Sequence, residues 1–168
     1  MLELLILTAL FFKPCHGYEI KKMIPGFKVN NNTLYPLLKK WLDNGIISMD
    51  YQDQDGKPAK KVYSLTEKGT NMLFDMISNF DEQEIITDDA FYLRVAFFQF
   101  LPKESVKKIL DTREYYLNDL EGQEKLMKIL GFFPDKAYDI LYLKNYFNSK
   151  LYNEKQLVKT LKEKYGIE

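Results

Sequence analysis

Cys15 and His16 are the chain's only cysteine and only histidine, and they stand side by side. A thiol beside an imidazole invites a nucleophile-and-base reading. Neighbours in sequence rarely converge in space, however, and no third group is placed to orient the imidazole. "CHG" also fails as a metal motif, because a tetrahedral site needs further Cys or His ligands and the chain has none. No phosphate-cradling P-loop or GxGxxG occurs. These absences predict a protein that is not an enzyme and carries no metal or cofactor. One cysteine also forbids an intrachain disulfide, which suits a reducing cytoplasm.

A different chemistry is written in "NNNTLYPLLKKWLDNGII", residues 30 to 47. Leu34, Leu37, Leu38, Trp41 and Leu42 share one broad arc of a helical wheel and predict a buried face. The opposite arc carries Asn32, Pro36, Lys39, Lys40 and Asp43, with Thr33 and Tyr35 on its flanks. Amides and hydroxyls can hydrogen-bond base edges, and Asn pairs bidentately with adenine. Lysines along the same face can neutralise phosphates. A recognition helix presents its N-terminal residues to the bases, and this one begins with amides. The plainer reading is helix capping, at which Asn excels. The two are compatible, because one Asn can cap while another faces outward.

Composition bounds the rest. The chain has 168 residues, is 46% hydrophobic and carries no net charge. That is room for one domain or two small ones with a real core, and it argues against disorder. Residues 13 to 61 hold nine Lys against five acids, a local excess of four positive charges. This is a small electrostatic footprint or a solvated lysine face. "MLELLILTALFF" lacks a basic head and a cleavage site, so it reads as an amphipathic helix burying Leu2, Leu5, Ile6, Ala9 and Leu10, not as a leader or a membrane span.

The elements around the quoted helix make a pattern. "KPCHG" breaks the first helix, and "YEIKKMI" is a short second one stopped by Pro25-Gly26. Gly45 closes the third as a C′ residue. "IISMDY" and "KVYSL" read as two strands joined by the polar turn "QDQDGKPAK". A fourth helix follows "SLTEKG", capped by Ser64 with Glu67 or by Thr66. Helix, turn, helix with an outward polar head, then a lysine-bearing hairpin are the parts of a winged helix-turn-helix. In it Lys57, Lys60 and Lys61 sit on the wing, where they would reach backbone phosphates or the minor groove, the plainer reading being a solvated loop.

The acidic stretch at residues 81 to 89 reads as the boundary, giving a winged helix-turn-helix over 1–82 and a helical domain over 83–168. The fold class expected is mainly α with a small β-hairpin wing, plus a C-terminal helical dimerisation domain. In the second half, helices are predicted over "AFYLRVAFFQFL", from Lys103 to Leu130, and from Lys136 to Tyr165. Leu143, Phe147, Leu151, Val158 and Leu161 form the expected dimer seam. Phe91, Tyr92, Phe97, Phe98, Phe100, Phe132 and Phe133 are ordinary core or the lining of a pocket for a small flat aromatic effector.

The ordered set "HGYEI", "NNNTLYPLLKKWLDNGII" and "DGKPAKKVYSLTEKG" resembles the PadR family of winged-helix transcriptional regulators over residues 1 to about 80. The second half looks like the longer C-terminal region of its virulence-activator branch. The resemblance implies a cytoplasmic homodimer on an inverted-repeat operator, often a repressor relieved by a small molecule or a stress signal. Tyr18 matches the tyrosine of the family's second helix, and Asn30 stands where a capping Ser is common. Thr33 and Tyr35 match its "TLYPLL" head, and Gly56, Lys57, Pro58 and Lys60 match its wing. Asn31 and Asn32 replace Pro and Gly, and every wing base is Lys where Arg is common. Lys lacks Arg's rigid bidentate fork, so this wing is expected to add affinity more than sequence reading. With the helix, the DNA-facing set is Tyr18, Asn30, Asn31, Asn32, Thr33, Tyr35, Lys39, Lys40, Lys57, Lys60 and Lys61. The alternatives are a winged-helix module that binds protein instead of DNA, and a ligand sensor built on the aromatic cluster.

Overall fold

The computed structural model describes residues 1–24, 29–54, 57–119 and 138–168. They form two compact units, Met1–Asn79 and Phe80–Glu168. Phe80 goes with the second unit, where its ring lies under the cations of Arg94 (5.3 Å) and Lys108 (4.9 Å).

The first unit runs α1 (Leu2–Phe12), β1 (Cys15–His16), α2 (Gly17–Met23), α3 (Asn31–Asp43), β2 (Ile47–Gln54), β3 (Lys57–Leu65) and α4 (Glu67–Ser78). The strands make one antiparallel sheet in the order β1-β3-β2. Sequence reading missed β1. It took "KPCHG" as a break, and two residues are too short for a period-two signal. Cys15 pairs with Tyr63 and His16 with Val62, which ties the head of α2 to the wing's inner strand.

The wing differs from expectation in length. Most of the predicted turn is strand, with Gln52 opposite Lys60 and a register shift before Gln54 meets Lys57. A polar hairpin lacks the apolar alternation that marks a half-buried strand, so only its buried root was legible. Ile47 and Tyr63 are buried there, whereas Tyr51 is exposed because the outer part of the hairpin leaves the helices behind.

The core is built from Ile6, Leu7, Leu10, Ile20, Leu34, Leu38, Trp41, Leu73 and Ile77. In α1, Leu4 and Leu7 are buried while the expected Leu2 and Leu5 are only partly so. The helix is apolar on nearly every side, which leaves periodicity little to fix its rotation. At the end of α3, the Ile46 amide donates to Trp41 O (2.8 Å) and Gly45 to Leu42 O (3.0 Å). That is a Schellman motif, and it needs the left-handed φ of +67° that Gly45 supplies. Thr66, not Ser64, caps α4, accepting from the Gly69 amide (3.1 Å) while its hydroxyl donates to the carbonyls of Gly45 and Ile46. A Cβ on Gly69 would lie 2.1 Å from the Ile46 carbonyl oxygen, so α4 can approach this turn only with glycine there.

The second unit contains α5 (Glu82–Ile86), α6 (Asp88–Val95), a 3-10 turn (Phe98–Phe100), α7 (Lys103–Asn118) and α8 (Tyr138–Tyr165). The acidic stretch expected as a linker is therefore helical, with Asp81 capping α5 by accepting from the Gln83 amide (3.0 Å). The helix predicted to reach Leu130 ends at Asn118, where the Asp119 amide turns back to donate to Tyr116 O (3.1 Å). The remainder of that expectation, with Phe132 and Phe133, lies outside the described residues. Ile85, Phe91, Phe98, Val106, Ile109, Leu110, Leu117, Val158 and Ile167 form this unit's core.

Candidate nucleic-acid interface

Asn30 is the N-cap of α3. Its side-chain oxygen accepts from the Thr33 amide (2.8 Å) and from the Thr33 hydroxyl (3.0 Å). Two residues expected to face bases are thus turned onto each other. Asn31 accepts from Lys21 Nζ of α2 (2.9 Å), a contact across the turn of the helix-turn-helix. Asn32 is exposed on the outer face. Pro36 also points outward, and the helix runs through it. Being six residues past the cap, it removes one backbone donor on the solvent side. Lys39 and Lys40 are exposed further along the same helix.

Tyr35 folds back on the start of α2. A Cβ on Gly17 would meet its ring and hydroxyl at 3.0 Å, so the glycine leaves room for the end of the Tyr35 ring. Tyr18 is 66% exposed, with Lys22 Nζ 5.6 Å from its ring centroid. These tyrosines, with His16, Glu19, Lys60 and Lys61, surround an open concavity of about 660 Å3 whose floor includes Tyr63. Burial pushes the Tyr63 phenol up from its ordinary pKa, with Tyr35 and Tyr51 adding to it.

Four of the expected DNA-facing residues, Tyr18, Tyr35, Lys60 and Lys61, are therefore gathered on one concave face. The side chain of Lys57 lies outside the described ones. His16 and Glu19 were missed as members of this face. The Glu19 carboxylate accepts the His16 backbone N–H (2.9 Å), the reciprocal half of a capping box. That hydrogen bond holds its carboxyl below the usual range, and His16, Lys13 and Lys60 pull the same way. The "HGYE" spacing, with an acid three residues after a possible cap, carried this signal.

The second unit spends most of the expected seam on itself. Val158 is 1% exposed and belongs to the intrachain core, with Leu151 and Leu161 packed on it. Leu143 is exposed and Phe147 half-buried. Of the expected aromatic pocket, Phe91, Phe97 and Phe98 are buried packing residues, and Phe100 is exposed. The Tyr92 hydroxyl donates to Glu154.

Sequence reading also missed a buried charge network. Arg113 is 1% exposed. It donates to Asp88 (2.6 Å), to Glu154 (2.9 Å) and to the carbonyls of Ile85 (2.8 Å) and Ile86 (2.7 Å). One guanidinium thus closes the C-terminus of α5 and ties α6, α7 and α8 together. Burial opposes its charge, but the two carboxylates outweigh that and push its pKa up. Arg94 is buried likewise, on the Ala90 carbonyl (3.1 Å) and Glu84 (2.5 Å). The signal was present: Arg113 sits in the apolar row of Val106, Leu110 and Leu117, and Glu154 in that of Phe147, Leu151, Val158 and Leu161.

Among the described residues there is no cluster of three or more His, Cys, Asp or Glu that could hold a metal ion. No described helix is long and apolar enough to cross a membrane.

The sequence profile of the Transcriptional regulator PadR-like family matches residues 6–74, from α1 into α4. The Negative transcriptional regulator PadR of Bacillus subtilis is 31% identical over 121 residues, spanning 66% of this chain and 66% of that protein. A PadR-like transcription factor from Bacteroides fragilis is 31% identical over 44% of this chain and 73% of its own, with a TM-score of 0.41. Bacillus subtilis PadR in complex with operator DNA is 27% identical over 98% of this chain and 96% of that one, with a TM-score of 0.46. Carried by the sequence matches and by the winged helix they fall on, the chain belongs to the PadR-like family of transcriptional regulators.

Proposed function

We propose that the protein is a homodimeric DNA-binding repressor that reads an inverted-repeat operator in the cytoplasm. The observation that carries this reading is the convergence of Tyr18, Tyr35, Lys60 and Lys61 on one concave face, together with the exposure of the Asn32 amide at the head of α3. Lysines neutralise phosphates, tyrosine hydroxyls donate to them, and an exposed amide at a helix start can reach a base edge. Phosphate contacts fix register, and base contacts give address.

Of the residues named from sequence, Asn32 is the base reader this geometry favours. Asn30 and Thr33 hold the helix start instead. Lys39, Lys40, Lys57, Lys60 and Lys61 serve the backbone. A protein-binding module would favour an apolar outward face, and the helix here offers amide and ammonium groups.

Two copies are needed for a long address, because helix-turn-helix half-sites lie about one turn, ~34 Å, apart. The first half of α8 supports the second copy, since Tyr142, Leu143 and Tyr146 are exposed there at near-helical spacing. Selection from a random duplex library tests the reading. It should enrich two inverted half-sites with that spacing, and enrichment of nothing would overturn it.

A further inference from the structure

We propose that Lys21 is a positioning residue for operator reading, which turns the Asn31 amide so that the head of α3 selects a guanine. The inference rests on the DNA-binding reading above and deepens it, since that reading gives Asn31 no role. It starts from the three consecutive amides at residues 30 to 32. Each has an acceptor end and a donor end, and pairing with adenine uses both at once. The Asn30 oxygen is taken by the amide and hydroxyl of Thr33. The Asn31 oxygen accepts from Lys21 Nζ (2.9 Å). Asn32 is exposed, with no tie of this kind among the described residues.

The partner fixes which way the Asn31 amide lies. An ammonium has donors and no acceptor, so only the amide oxygen can face it, and Nδ2 with its two N–H groups is the end left over. Lys21 is half-buried in the last turn of α2, where the carbonyl end of the helix favours a cation. Asn31 is exposed at the first position of α3, and the first turn of that helix holds no acid to draw the ammonium away. An Asp in place of Asn31 would pair with Lys21 more strongly, but it would bring a negative charge to a polyanion. Asn gives the tie without the charge.

What the pair has left to offer is donors: the N–H groups of Asn31 Nδ2 and the remaining N–H groups of Lys21 Nζ. Guanine is the base that presents two adjacent acceptors, N7 and O6, in the major groove. Adenine sets its N6 amino donor beside N7, and that donor would compete with an ammonium for the Asn31 oxygen. Cytosine presents an amino donor, and thymine a single acceptor, O4. Asn32 keeps both ends and with them the match to adenine. The head of α3 is thereby divided into a donor-only reader at Asn31 and a donor–acceptor reader at Asn32.

The experiment is selection from a random duplex library by the full chain, for the wild type, Asn31→Ala, Lys21→Met and Lys21→Arg, with a thermal melt of each. Met keeps the stem of Lys21 and removes the donor, whereas Arg keeps a donor. The wild-type half-site should contain a guanine that Asn31→Ala no longer selects. Exchanging that G·C pair for A·T should weaken wild-type binding about tenfold, within the usual cost of one mismatch. Lys21→Met should move the preference at that position from guanine to adenine, because the released oxygen can accept from N6. Lys21→Arg should keep guanine. A lysine that served only packing or a phosphate would, when removed, weaken all sequences alike and move no single base. A guanine retained by Lys21→Met, an Asn31-dependent position that is not guanine, or half-sites identical in all four proteins overturns this inference and leaves the DNA reading standing. Enrichment of nothing by the wild type overturns both.

Discussion

The side-chain oxygen of Asn30 takes two hydrogen bonds from Thr33, one from its amide and one from its hydroxyl. The pair closes the first turn of α3 and fixes where Asn32 emerges. Asn30→Ala should therefore cost about 1 kcal/mol of stability, the usual worth of an N-cap, in denaturant unfolding. Asn32→Ala should cost almost none, and should change preference among operators in competition binding. If Asn30→Ala alters operator preference at full stability, the division of labour between cap and reader is wrong.

The wing lysines should act differently. Lys60→Ala with Lys61→Ala should weaken all duplexes to a similar degree and flatten the salt slope by about 0.9 for each phosphate that is no longer neutralised. A change in the ranking of sequences would instead make the wing a reader.

Two glycines separate stability from function. Gly69→Ala places a methyl 2.1 Å from the Ile46 carbonyl oxygen, where backbone on both sides must move. It should destabilise the winged helix by more than about 2 kcal/mol. Gly17→Ala meets only the end of the Tyr35 ring. It should leave the melt nearly unchanged and weaken DNA binding by displacing Tyr35.

The second unit should depend on Arg113. Arg113→Met strands the buried Glu154 carboxylate and two carbonyls, at a cost of about 3–5 kcal/mol. Thermal unfolding of the variant, read by a probe in this unit, measures it. A loss under about 1 kcal/mol would mean that the network does not hold the four helices together.

The same network sets the pH limits. The hydrogen bond to Lys150, with Arg113, holds the Asp88 carboxyl below its ordinary pKa. Its contribution is present above the unfolded pKa and is lost as pH falls through the depressed folded one, so it disappears in acid below about pH 4. Tyr92 behaves oppositely. Its hydrogen bond to Glu154 pushes the phenol up to about 12. The stabilisation is full below the unfolded value near pH 10 and is lost on the way to pH 12. Tyr92→Phe should remove this alkaline loss in denaturant melts.

How much was readable from sequence depended on the kind of signal. Leu34, Leu38 and Trp41 announced the buried face of α3 because period 3.6 is dense there. Gly45 announced its end because only glycine takes that φ cheaply. The two residues of β1 and the outer wing had no such signal, since their pairing is set by tertiary contact. Arg113 and Glu154 were overlooked because charged residues in an apolar row were passed over as surface, when each had the other as its partner. Asn30 and Thr33 were legible as polar and not as mutually satisfied, since residue type alone does not say whether a side chain points at its own backbone or outward.

The most direct test is fluorescence anisotropy of the full chain with the duplex upstream of its own gene and a scrambled control, at two salt concentrations. The account predicts tight binding that weakens with salt and discriminates against the scramble. Equal affinity for both duplexes, or none even at low salt, would contradict it.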